Sequence, residues 1–147
     1  MAGSRHRVVV KAAVIVDTNV VVAGFPMAAK ALPVAAILRG MMSGELPFVA
    51  SASLLAEYRE VLSRPELQKL HGLADEALEA LVGQLEHRAE LIEPVATALA
   101  PDPGDQMLWE LLAARADLVL VTSDKLLLRD RTMRGRVITP QAFLGLA

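Results

Sequence analysis

Two stretches of the chain are apolar without alternation, and each runs into an acid: VVVKAAVIVD, ending on Asp17, and DLVLVTSD, ending on Asp124. Runs rich in β-branched residues, with no polar residue at every second position, suit strands covered on both faces. They predict strands over Val8–Val16 and along DLVLVTSD. LPFVAS and LIEPV read as shorter strands, and RVITPQAFLGL as a strand followed by a helix, with Thr139 as cap and Pro140 in the first turn.

Between these, the period changes. Pro33–Met42 reads as a helix ending near Ser43 and Gly44. Leu54, Leu55, Tyr58, Val61 and Leu62 recur on one helical face, after a cap at Ser51 or Ser53 and before Pro65. Asp75–Ala89 is a second amphipathic helix, with Leu78, Leu81, Val82 and Leu85 in register. The turn PDPGD leads into a helix from about Asp105 to Ala114. Strands alternating with helices predict an α/β class with a mainly parallel sheet, and ligands in such sheets sit at the carboxyl ends of the strands.

Composition narrows the picture. The chain has 147 residues, 54% of them hydrophobic and 3% aromatic, which suits a single domain over 1–147 with a Val, Leu and Ala core. The net charge of −2 sets up no global field that attracts nucleic acid, so a basic patch would have to be local. The absence of cysteine excludes disulfides, thiolate zinc sites and cysteine nucleophiles. Lys11 interrupts the N-terminal apolar stretch, and no run reaches the ~20 residues of a membrane span. The expectation is a cytoplasmic protein, with residues 1–7 a loose lead-in.

The acids then change it again. Parallel neighbouring strands would bring Asp17 and Asp124 to one sheet edge. At about 100° per residue, Glu57 falls beside Leu54 and Val61 on the border of the buried stripe, whereas Glu60 points away. Asp105 borders the next helix in the same way, opens it where the helix dipole favours a carboxylate, and has Asp102 as a neighbour, while Glu110 faces solvent. Singly, each has an ordinary explanation as a cap or a solvated charge. Jointly they crowd one rim. Two carboxylates ~4 Å apart repel by ~4 kcal/mol at an effective dielectric near 20, so such a cluster takes up protons or a cation. Oxygen donors without Cys or a spaced His favour Mg²⁺ or Mn²⁺.

VIVDTNV, LLAEYREVL, PDPGDQMLWELLAARADLVLVTSDKLLL and RVITPQAFL, in that order, resemble the PIN domain, nearest to its small bacterial VapC-like branch of toxin–antitoxin ribonucleases. The resemblance runs from about Lys11 to the end. It implies a three-layer α/β/α sandwich and metal-dependent hydrolysis of single-stranded RNA. Asp17, Glu57, Asp105 and Asp124 match the family's acids, with Asp17, Asp105 and Asp124 as metal ligands; Asn19 and Thr122 match supporting polar residues. The branch often has a denser acidic run where this chain has Asp102 and Asp105, which leaves Asp102 as a further candidate ligand. The resemblance also implies an antitoxin partner and a homodimer.

Phosphate grip needs cations outside the acidic pocket. Arg129, Arg131, Arg134 and Arg136 are the candidate patch, and Lys125 adjoins the pocket. Trp109 reads as core or interface, and His71 and His87 carry no assigned role. A PIN-like module that binds RNA or a partner without cutting is the main alternative. A haloacid-dehalogenase-like phosphatase would need an Asp where Asn19 stands, and a receiver domain would need an acidic pair near the first strand.

Overall fold

The computed structural model describes residues 13–25, 32–133 and 135–146. The first strand, β1, is Val14–Val16, and it passes through Asp17 directly into helix α1, Thr18–Ala23. Helix α2, Pro33–Ser43, stops at Gly44, whose φ of 88° gives the left-handed cap a helix end favours. Then come β2, Val49–Ala50; α3, Ala52–Leu62; α4, Pro65–His71; α5, Asp75–Arg88; and β3, Glu90–Leu91. A 3-10 turn, Pro103–Asp105, leads into α6, Gln106–Ala114. The chain ends with β4, Val119–Val121; α7, Lys125–Leu128; β5, Val137–Ile138; and α8, Pro140–Leu146.

Among the described residues, every strand pairing is parallel. β1 pairs with β4 in the register Val14 to Val119 and Val16 to Val121, β4 pairs with β5, and β2 pairs with β3. A single parallel bridge between Val14 and Phe48 joins the two pieces into the order β3-β2-β1-β4-β5. The connections leave β1 toward β2 on one side and return to β4 on the other. Between β1 and β4, therefore, the loops diverge and a crevice opens at the carboxyl ends. All three β1 residues are buried, so both faces of this strand are covered, as the α/β reading requires.

Helix α3 positions one wall of that crevice. Ser51 Oγ accepts from Leu54 N at 3.1 Å and starts it; Leu54, Leu55, Tyr58 and Leu62 bury its inner stripe. Burying each leucine contributes about 2 kcal/mol. Glu57 and Val61 lie along the margin of that stripe. Trp109 is fully buried in α6, so it is core.

Several expectations shift. The described part of the first strand is Val14–Val16; residues 8–12 of the expected Val8–Val16 strand lie outside the described residues, as does the lead-in over 1–7. LIEPV is not a strand along its length, because pairing stops once Ile92 N has bonded Ala50 O. Pro94 has no N–H to offer a ladder, and Val95 N donates to Glu110 O of α6 instead. Glu110 is accordingly half-buried rather than free in solvent. Helices α1, α4 and α7 were not anticipated.

Candidate active site

β1 and β4 build the floor of the crevice together. In their register Val16 faces Val121, and Asp17 N continues the ladder by donating to Val121 O at 3.0 Å. The residue that follows β4 is Thr122, fully buried, whose hydroxyl donates to Asp17 Oδ2 at 2.7 Å. The same hydroxyl oxygen accepts from Asp124 N at 3.0 Å. One buried threonine therefore fixes both strand-end acids. Asp124 is further held by Leu126 N, which donates to its Oδ1 at 2.9 Å as α7 begins. Asn19 Oδ1 accepts from Ser123 N at 3.4 Å, tying the first turn of α1 to the loop after β4.

The α3 wall is tied to the same floor. Thr18 Oγ1 donates to Glu57 Oε2, which aims that carboxylate at the strand ends. Tyr58, one residue on, donates its hydroxyl to Val16 O, buried under the site. Burial foremost, and the nearby Asp17 and Glu57, push the Tyr58 phenol far above its ordinary range, so it stays a neutral donor. The periodicity marked Tyr58 only as an apolar stripe residue, and Thr18 carried no assigned role.

Asp17, Glu57, Asp105 and Asp124 all line one cleft of about 470 Å³. They reach it from four elements: the end of β1, α3, the 3-10 turn, and the loop after β4. Burial and crowding show in the protonation of two of them, Asp17 and Asp105. Asp17 is 5% exposed, and burial raises its carboxyl above the usual range despite the Thr122 hydrogen bond. Asp105 is pushed up to about 6, first by burial and then by the charges of Asp17, Asp124, Asp102 and Glu57.

Asp102 behaves differently. Its Oδ1 accepts from Gly104 N at 3.3 Å and caps the 3-10 turn, and it is exposed and absent from the cleft lining. Of the two acids in the PDPGD turn, Asp105 is the one in the cleft.

The basic candidates also separate. Arg136 donates through Nη2 to Leu112 O at 2.7 Å and Arg115 O at 2.6 Å, and through Nε to Leu118 O at 3.1 Å. Its fork is committed to the carbonyls that end α6 and lead into β4. These bonds to the fold set Arg136 apart from the other candidates for an RNA-facing patch. Arg129 and Arg131 are exposed, and Arg134 lies outside the described residues. Lys125 is exposed but does not line the cleft. Two charged residues that the sequence reading passed over, Arg64 and Glu66, do line it.

The donor set fits a hard divalent cation, being carboxylate oxygens alone. Among the described residues, no three Asp, Glu or His side chains already close around a common point. An ion entering the cleft would have to draw the carboxylates inward, its charge offsetting the mutual repulsion that holds them apart.

Fold and site together define an α/β protein with a parallel sheet whose switch point opens on an acid-lined cleft. The chain belongs to the PIN domain family: the model of that family, described as PIN domain, matches residues 13–126. PIN domains are generally nucleases, so the family carries a nuclease-type fold and a hydrolase reading. No curated protein matches the chain. No helix among the described residues is long and apolar enough to cross a membrane.

Proposed function

We propose that this chain is a Mg²⁺- or Mn²⁺-dependent ribonuclease that hydrolyses phosphodiester bonds of single-stranded RNA. The observation that carries the reading is the convergence of Asp17, Glu57, Asp105 and Asp124 on one cleft at the switch point. Asp17, Asp105 and Asp124 would hold the ion, with Glu57 beside it. Bound there, the ion supplies Lewis-acid chemistry, lowering the pKa of water and offsetting charge at the phosphate. The protein's own groups set the geometry. Thr122 fixes Asp17 and Asp124 relative to each other, and Thr18 orients Glu57 toward the same space. Asp105, whose carboxyl burial and the neighbouring acids push up to about 6, would have to be ionised to hold the ion, so binding there would strengthen as pH rises through that value.

Asp17→Asn tests the reading. Cleavage of single-stranded RNA in Mn²⁺ should fall about a thousandfold, roughly 4 kcal/mol in barrier. Circular dichroism should keep a cooperative melt in the variant. Undiminished cleavage would sink the mechanism.

The open arrangement of the carboxylates favours one second reading, a PIN-like module that binds RNA or a protein partner without cutting. Calorimetry with Mn²⁺ separates them: saturable binding supports the enzyme, and no binding supports the module.

We read the biological role as the toxin of a cytoplasmic toxin–antitoxin pair, working as a homodimer. Supporting a protein partner, the cleft shares Val22 and Leu67 with an adjoining apolar hollow edged by Leu70, which is 69% exposed. Growth arrest on expression, relieved by a short neighbouring reading frame, is the expected outcome.

A further inference from the structure

We infer that Arg64 is a substrate-positioning residue that grips an RNA phosphate next to the one being cut. The inference rests on the ribonuclease reading above and concerns how that cleft admits a polyanion. Its walls include Asp17, Glu57, Glu66, Asp105 and Asp124, and among the described residues Arg64 is the one cationic side chain lining it. A divalent ion offsets charge at the scissile phosphate. The flanking phosphates must still approach five carboxylates, and they need a cation of their own.

The local sequence places Arg64 for this. α3 stops at Leu62, and the pair Arg64-Pro65 cannot continue it, because the residue before proline is driven out of the helical region. Arg64 is extended, at φ −66° and ψ 140°, and forms the elbow from which α4 starts. Its carbonyl accepts from Leu67 N and Gln68 N at 2.9 and 3.0 Å, so the backbone at the elbow is fixed.

The side chain is oriented as well. Glu60, the acid that faces away from the cleft, receives Nε at 3.1 Å and Nη2 at 2.9 Å in a bidentate pair. That pair uses one edge of the guanidinium and leaves the Nη1 side for a second anion. The side chain is 51% exposed, open enough for a polymer to reach. A planar fork suits phosphate oxygens better than a point charge does.

Kinetics of the full chain in Mn²⁺, on a labelled single-stranded oligoribonucleotide of randomised sequence, provide the test. Arg64 does not touch the reacting atoms, so it binds ground and transition states alike, and its loss appears in KM. Arg64→Ala should raise KM about tenfold with kcat held within about twofold. The slope of log KM against log salt should flatten by about 0.7, one single-strand phosphate contact. Arg64→Lys should recover part of the KM and most of the slope. Mn²⁺ affinity should stay within about twofold, whereas a residue that merely balanced the carboxylates would shift it and leave the salt slope alone. An unmoved KM and slope in Arg64→Ala, with the parent cleaving normally, overturns this inference alone. No cleavage by the parent overturns the nuclease reading and this inference with it.

Discussion

At the N-terminal end of β4, each described charge meets an opposite charge or a carbonyl. Arg136 donates to three carbonyl oxygens, and Arg115 bridges Asp117 at 3.0 Å and Glu90 at 3.1 Å. The hydrogen bond from Arg115 holds the Asp117 carboxyl below its ordinary range. Three residues of strand later, the balance reverses. Asp17 and Asp105 are raised, and carboxylates face carboxylates across the cleft. One short strand thus carries a neutralised end and an uncompensated end. The first is what stability selects; the second is tolerable only if a charge arrives from outside.

The comparison can be broken most directly at Arg136. If its guanidinium is a staple between α6 and β4, Arg136→Ala strands three acceptors and costs about 3 kcal/mol. Urea unfolding should show the loss as an earlier midpoint, while the cleavage rate per folded molecule and the KM for RNA stay at parental values. A weakened RNA affinity with unchanged stability would return Arg136 to the phosphate-binding set.

At the other end, Thr122→Val keeps the shape and removes the hydroxyl that Asp17 and Asp124 share. Asp17 Oδ2 loses its donor and Asp124 N its acceptor. Stability should drop by about 2 kcal/mol at neutral pH. Mn²⁺ affinity should weaken about 10–100-fold, the usual consequence of losing a group that orients ligands. Calorimetry beside urea unfolding reads both. A stability loss with unaltered Mn²⁺ affinity would mean that Thr122 supports the sheet and not the site.

The two ends were not equally legible in the sequence. Asp17 and Asp124 follow unalternated strands, and the parallel sheet that such strands imply brings both acids to one edge. Helical arithmetic likewise separated Glu57, in the cleft, from Glu60, which pairs outward with Arg64. What escaped depends on long-range or weakly patterned features. Arg136 reaches carbonyls 18 to 24 residues back, and no local spacing reveals that. Helix α4 buries no residue, so it has no apolar stripe to detect, and Arg64 at its start went unnoticed with it. Helix α1 is half valine, a residue of low helix propensity, and forms where α2 and α3 pack against it. Asp102 and Asp105 are separated by a turn whose Gly104 N–H turns the first into a cap, a distinction invisible in PDPGD alone.

The smallest effect distinguishes the two ends by pH. Asp105 titrates near 6 in the folded chain, against 3.8 when unperturbed, so the folded state holds a proton that the unfolded state releases between those values. Stability from this source is full below about pH 4 and is lost as pH rises through about 6. Asp17 is shifted in the same direction. Asp117 has the opposite sign: its contribution is present above the unfolded value of 3.8 and is lost as pH falls below it. Because solvent reaches Asp105 and screens it, the loss should be on the order of 1 kcal/mol. In EDTA, Asp105→Asn should therefore exceed the parent in stability by about that amount at pH 7.5 and match it near pH 4. Saturating Mn²⁺ should reverse the order at pH 7.5, because the ion stabilises only the chain that keeps its carboxylate. Urea unfolding at the two pH values, with and without Mn²⁺, measures all of this; a variant no more stable than the parent in EDTA would show that the crowding at this end of β4 carries no energetic cost.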